Sequence, residues 1–420
     1  MDHYQTYVDI LNEELMPAMG CTEPIAIAYC ASLVRDTLKN IPNEVYILVS
    51  GNIIKNVKSV KVPNTNGMHG IKAAAGIGFL AGDSSKELEV IAKANPESIE
   101  KLPEYLNKTK MVVQSVDNGH TLYIEIIGRY KGEFARVVIQ DTHTFVSLIE
   151  LNGKVIVSNK QSVKKNESTL DKSVLNVKDI IEFANTVNID DVKKTLDRQI
   201  EYNIAIANEG IKNNYGANIG KTILKYGKDD TVQYCKALAA AGSDARMNGC
   251  EMPVVINSGS GNQGITCSVP VIAYSVRKGM SKEKLYRALV VSNLITIHIK
   301  NSIGKLSAFC GVVIAGVGCG AGISFLEGGD EYDISHTIVN ALAINSGVVC
   351  DGAKSSCAAK IANSVEAGIL GYYMSREGDE FLSGDGIVKK GVENTIKAIG
   401  QLAREGMCAT DKEIIQIMIE

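Results

Sequence analysis

The chain has 420 residues, of which 45% are apolar and 22% charged, with a net charge of −3, 39 Gly, 10 Cys and no Trp. That length asks for two or three domains rather than one core, and the composition excludes global disorder. A slightly negative chain without a basic run speaks against a nucleic-acid partner, whose phosphates want a basic face.

The N-terminal MDHYQTYVDILNEEL is acidic and amphipathic, with no basic stretch leading into an apolar one. It does not read as a signal peptide, so a cytoplasmic location is expected. The cysteines should then be thiols or metal ligands rather than disulfides. No CxxC pair occurs, which removes support from thioredoxin-like and zinc-ribbon readings. Residues 1–40 show helical spacing through Leu11, Leu15, Ile25, Ala26, Leu33 and Val34, broken at Pro17 and again around 20–24. At the second break stands Gly20-Cys21-Thr22-Glu23-Pro24. Pro24 is a favoured first helical residue, and a thiol at a helix N-terminus has its pKa lowered. A structural cysteine beside a capping threonine would leave the same residues.

From about Val45 the texture turns β-branched: VYILVSGN, VKSVKVP, KMVVQSV, TLYIEIIGRY and FARVVIQ read as strands. A hairpin turn is expected at Lys131-Gly132, and a helical insert at roughly 71–102. The lysine-rich stretch 153–175 reads as a loop or linker. From about Val177 helical periodicity runs to the end. The expected class is therefore α+β: a mainly helical domain of closely packed Gly-rich helices, residues 1–42 and 170–420, with a smaller α+β domain inserted at 43–169.

Three features of the second half carry chemistry. Residues 257–264, NSGSGNQG, contain a formal GxGxxG, but in helical texture and without an acidic partner about 20 residues on. The physical content is a nest of amides and small polar side chains suited to a carboxylate; a Gly-rich helix junction is the bland alternative. Residues 306–326 are uncharged and long enough to span a bilayer. Gly311, Gly316, Gly318, Gly320 and Gly322 interrupt them, so a buried helix or helix pair is expected instead. Cys310, Cys319, Cys350 and Cys357 form the richest thiol cluster. Two helical turns would separate Cys350 from Cys357 by about 10 Å, and a tight turn at Gly352 would bring them closer. Three thiolates on an iron–sulfur cluster leave one iron open, although cysteine is also a common core residue. His298 and His336 read as surface or core residues.

Taken together, GCTEP, SDARMNG at 243–249, NSGSGNQGIT at 257–266 and VCDGAKSSCA at 349–358 resemble the L-cysteine desulfidase family, in its motif order and over nearly the whole chain. That family is related to the α-subunit of iron–sulfur-dependent L-serine dehydratases. The resemblance implies a [4Fe–4S] cluster held by Cys310, Cys350 and Cys357. Cys319, in a Val317-Gly318-Cys319 setting that resembles the dehydratases, competes with Cys310. It also implies Cys21 as the proton acceptor. Thr22, Glu23, Asn257, Ser258, Ser260 and Asn262 are the expected substrate-binding residues. The implied reaction turns L-cysteine into pyruvate, hydrogen sulfide and ammonia. The short Cys350–Cys357 spacing keeps L-serine dehydration as the alternative. Rivals from other classes are a pyridoxal-phosphate lyase using Lys300, Lys305 or Lys354, an NAD-binding oxidoreductase and a non-catalytic redox sensor. The expected partner is a small amino acid, with no nucleic acid and no membrane, and the expected assembly is a homo-oligomer, taken as a dimer.

Overall fold

A computed structural model describes residues 3–19, 22–120, 122–159, 170–304 and 307–419, and it is α+β as expected. The chain divides into two units. One comprises Met1–Gly20, Leu170–Cys350 and Ser355–Asp411; the other comprises Cys21–Thr169, Asp351–Lys354 and Lys412–Glu420.

The first unit is helical. Its centre is helix Gly311–Leu326, which is buried along nearly its whole length. The glycines explain how. A Cβ on Gly316 would stand 2.3 Å from the Ser364 carbonyl oxygen, and one on Gly320 would stand 2.3 Å from that of Gly368. Real Cβ atoms do not approach so closely, so this helix and helix Cys357–Glu377 touch backbone to backbone. On another side Gly318 lies against the Ser292 carbonyl of helix Lys282–Ile303. The uncharged segment is thus a core helix, and among the described residues no helix is long and apolar enough to cross a membrane. Gly261–Arg277 and Glu331–Asn345 also pack against it, and Ile189–Lys212 and Thr231–Met247 pack in turn on Gly261–Arg277. A two-stranded antiparallel ribbon, Pro17–Met19 with Pro253–Val255, leads into the 257–264 segment. Buried Asn203 closes that ribbon's free edge: Val255 N–H donates to its Oδ1 at 2.8 Å, and its Nδ2 donates back to the Val255 carbonyl at 3.1 Å.

The second unit is a six-stranded sheet covered by helices. Its strand order is Lys110–Val116, Glu44–Ser50, Tyr123–Tyr130, Glu133–Gln140, Val146–Leu151, Lys154–Ser158, with only the first pair parallel. Alternation decides the buried face: Val45, Ile47 and Val49 point into the core of this unit. The Lys131-Gly132 hairpin turn is present, with φ of 49° and 88°.

Three expectations change. Helix Thr22–Leu38 belongs to the sheet unit and not to the helical one. It is buried from Pro24 through Ser32 and lies so close to the sheet that a Cβ on Gly128 would meet Val34 Cγ1 at 2.7 Å. VKSVKVP is not a strand: helix Gly51–Val57 ends at its first residue, and its β-branched residues Val57, Val60 and Val62 are buried under turns. The segment read as a loop from 153 contains strand Lys154–Ser158, an exposed edge strand whose short β-branched run, Val155 to Val157, was masked by the polar, lysine-rich residues that follow it in the sequence.

Candidate active site

Backbone pairing brings the first two thiols together. Phe309 and Val349 form an antiparallel bridge. Cys310 N–H donates to the Val348 carbonyl at 3.1 Å, and Cys350 N–H donates to the Ala308 carbonyl at 2.6 Å. Cys310 is then the N-cap of helix Gly311–Leu326. Cys357 is the first residue of helix Cys357–Glu377. Residues 350–356 are not helical; Gly352, at φ 91°, makes the turn instead. The thiols of Cys310 and Cys350 are hydrogen-bonded to each other, which pushes the Cys310 thiol well above its ordinary value. Burial and the charges of Cys350 and Cys357 add to this, while the Val312 amide opposes it. Cys319 lies elsewhere. It is fully buried in the helical core, which raises its thiol, and its thiol neighbours are Cys235 and Cys267.

A cation completes the thiol group. Lys300, in the last turn of helix Lys282–Ile303, interacts electrostatically with Cys350 and Cys310. Burial lowers its ammonium pKa, against the pull of the two cysteines. Lys360 Nζ donates to the Val349 carbonyl at 2.8 Å and so steadies the bridge.

The Gly-rich segment sits directly beside the thiols. It turns through Ser258 (φ 50°) and Gly259 (φ 77°) into helix Gly261–Arg277, which Ser260 caps. Gln263 lies flat on Gly311, the residue after Cys310: a Cβ there would be 2.8 Å from its Cδ. Asn262 Oδ1 accepts from Arg246 Nη1 at 3.3 Å. Asn257 differs from its neighbours. It is fully buried, its Nδ2 donates to Asn293 Oδ1 at 3.0 Å, and its Oδ1 accepts from Ser258 Oγ at 2.9 Å. Its polar groups are used in shaping the turn. The SDARMNG motif ends helix Thr231–Met247 against the same place, where Asn248 Oδ1 accepts from Ser355 Oγ at 2.9 Å.

Cys21 and Lys305 lie outside the described residues. Thr22 and Glu23 open helix Thr22–Leu38 in the sheet unit. Glu23 Oε1 accepts from Asn56 Nδ2 at 3.1 Å, and Thr22 Oγ1 donates to Glu23 Oε2 at 3.3 Å. The sequence reading missed His143, whose Nε2 is 3.1 Å from Thr22 Oγ1. Burial lowers its pKa, with Glu23 opposing, so the imidazole is neutral at pH 7. A lone His at a hairpin tip between two strands carries no spacing signal; only the fold brings it to the GCTEP helix. His298 and His336 are each paired with a glutamate, Glu393 and Glu380. A cavity of about 730 Å³ holds His336 and Glu380 but no residue of the thiol group or the Gly-rich segment.

Among the described residues no group of three or more His, Cys, Asp or Glu side chains is placed to hold a metal ion. An iron–sulfur cluster asks for a wider arrangement, with each thiolate on a different iron. The donor set of Cys310, Cys350 and Cys357 fits that chemistry: three thiols, two at helix N-termini, with a lysine for charge balance.

Comparison with known proteins supports the dehydratase-like family of that resemblance. Residues 85–416 match the family model of the serine dehydratase alpha chain. A UPF0597 protein of Desulfitobacterium hafniense is 56% identical over 418 residues, covering 99% of this chain and 97% of the relative. A UPF0597 protein of Lachnoclostridium phytofermentans is 49% identical over 417 residues, covering 99% of this chain and 100% of that one. One of Treponema denticola is 45% identical over 423 residues, with 99% and 98% covered. By these matches the chain belongs to the serine dehydratase alpha chain family, alongside relatives named UPF0597 protein.

Proposed function

We propose that the chain is an iron–sulfur-dependent β-eliminating lyase that converts L-cysteine and water to pyruvate, hydrogen sulfide and ammonia, with L-serine as the alternative substrate. The observation that carries this reading is the grouping of Cys310, Cys350 and Cys357, beside the Gly-rich segment, in a chain of the serine dehydratase family. When bound, a [4Fe–4S] cluster on these thiolates supplies a Lewis-acidic iron for the departing sulfur or oxygen.

The protein's own residues do the rest. The Lys300 ammonium offsets the negative charge gathered by three thiolates. Ser258, Ser260 and Asn262, with the first-turn amides of helix Gly261–Arg277, hold the carboxylate and fix the substrate's orientation, which lowers the barrier by about several kcal/mol. Cys21 accepts the Cα proton as a thiolate, and Thr22 and Glu23 bind the substrate's polar groups. As that proton leaves, the Cβ–S bond breaks and the electron pair departs with sulfur. The aminoacrylate released takes up water without further help from the protein.

Iron and sulfide analysis of anaerobically purified protein, together with pyruvate release from L-cysteine and L-serine, tests the reading. About four irons and four sulfides per chain are expected, with faster turnover of L-cysteine. Iron-free protein that still makes pyruvate would refute it. The pyridoxal rival has one feature in its favour, the half-buried Lys300 with its lowered pKa, which is how a Schiff-base lysine is prepared. A yellow chromophore fixed on Lys300 by borohydride would select that rival; an oxygen-sensitive brown colour selects the cluster.

A further inference from the structure

Gln263 is only 5% exposed, yet its Oε1 has no hydrogen-bond partner among the described residues. Leaving a buried acceptor unpaired costs about 1–3 kcal/mol, so such a group asks for a reason. Its position supplies one. The carboxamide lies on the bare Cα of Gly311: a Cβ there would stand 3.0 Å from Nε2 and 3.1 Å from Oε1. Glycine at 311 is what lets the side chain reach the residue next to Cys310. A second side chain is laid down in the same way two residues back, at the start of the helix. The Arg246 guanidinium covers the bare Cα of Gly261, where a Cβ would meet Nε at 2.3 Å, and its Nη1 donates to Asn262 Oδ1 at 3.3 Å. One short stretch of helix therefore carries a cationic fork and the amides of a helix N-terminus at its start, and a buried, unmatched acceptor two residues on beside the first thiol.

We infer that Gln263 and Arg246 read the two charged ends of an α-amino acid. The α-carboxylate pairs with Arg246 and the first-turn amides, and the α-ammonium donates to Gln263 Oε1, which turns the β-substituent toward Cys310. This rests on the lyase reading for the identity of the substrate, but it concerns recognition and is testable without turnover. The geometry explains why both Gly261 and Gly311 must lack side chains. A fork for the carboxylate alone would leave Gln263 unexplained, and a structural Gln263 would have spent its oxygen inside the protein.

The test is equilibrium binding to the anaerobic full-length protein, with iron per chain measured in every sample. The ligands are L-alanine, which has both charged groups and no leaving group, and propionate, which lacks the ammonium. Wild type should bind L-alanine about tenfold or more tightly than propionate, as expected for a hydrogen bond to a charged group. Gln263→Met should bring L-alanine down to the level of propionate and leave propionate unchanged. Gln263→Glu keeps an accepting oxygen and should keep the preference. Arg246→Gln should weaken both ligands together. The inference is overturned if wild type shows no preference for L-alanine. It is also overturned if Gln263→Met at full iron content keeps that preference, or if it weakens both ligands equally, which marks a structural role. Failure of the lyase reading shows separately, as wild-type protein that makes no pyruvate from L-cysteine or L-serine whatever the binding data say.

Discussion

Replacing Cys310 and Cys319 by alanine, one at a time, separates a thiol that holds the cluster from one that fills the core. Both are buried, at 6% and 0% exposure. Each substitution removes one sulfur, close in size to a methylene. The lost transfer energy is about 0.8 kcal/mol, and a residual void of about 20 Å³ adds about 0.5 kcal/mol. Packing alone therefore predicts destabilisation by about 1 kcal/mol for either variant, as read by anaerobic denaturant titration of the metal-free protein. The two should differ in iron. Cys310 is hydrogen-bonded to Cys350 and is acted on by Cys357, whereas the thiol neighbours of Cys319 are Cys235 and Cys267. Cys310→Ala should lose most of its iron and all turnover, while Cys319→Ala keeps both. The opposite pattern, iron lost from Cys319→Ala and kept by Cys310→Ala, would show that the grouping in the structure does not bind the cluster.

Cys21→Ser should keep the full iron content and lose at least about tenfold in kcat, since a hydroxyl is a far weaker base than a thiol at neutral pH; near-wild-type turnover would move the proton acceptor elsewhere, with His143→Asn as the next variant to assay. Gly320→Ala drives a Cβ against the Gly368 carbonyl at 2.3 Å and should destabilise the helical unit by about 1–3 kcal/mol in a denaturant titration; an unchanged midpoint would mean that the two helices stand further apart. Burial raises the Asp244 carboxyl to about 6 from its ordinary 3.8, against the pull of the Gly220 and Ile219 amides. The folded state thus binds a proton that the unfolded state has released between those pH values, so stability falls as pH rises through that window. Asp244→Asn should flatten this part of the pH–stability curve, and an identical slope in both proteins would exclude the assignment.

The sheet unit was partly legible because alternation is a local signal. Val45, Ile47 and Val49 show it within one strand, and Lys131-Gly132 marks its hairpin outright. Helix Thr22–Leu38 was assigned to the wrong unit because its apolar stretch from Pro24 to Ala31 fits either kind of core; only contact with the sheet at Gly128 decides. The thiol group was legible as a set of cysteines, but its construction was not. Nothing in the spacing of 310 and 350 announces a bridge between Phe309 and Val349, since such pairing is made by tertiary folding. His143 and Gln263 were invisible for the same reason. One is a single polar residue in a turn and the other a single amide in a helix. Each gains meaning only from a neighbour more than forty residues away, Thr22 for the first and Gly311 for the second.

The Gly-rich texture and the cysteine cluster, read separately in the sequence, are one feature. Gly316 meets Ser364 and Gly320 meets Gly368, so a step of four residues along one helix matches a step of four along the other. Equal steps in the same direction mean that helices Gly311–Leu326 and Cys357–Glu377 run parallel, in backbone contact, with a constant offset. Carried back along the seam, that offset sets Cys310 level with the start of the second helix, where Cys357 stands. Parallel helices in register put both N-termini at one end, and both sets of unpaired amides favour negative charge there. At Cys310 the Val312 amide favours a thiolate, although the hydrogen bond from Cys350 and burial outweigh it and hold that thiol well above its ordinary value. Widening the seam with larger residues would separate the two cysteines as well as the two helices. On this argument the small residues at 316, 320, 364 and 368 serve the site as much as the core, and a metal-binding defect in Gly320→Ala should accompany its loss of stability.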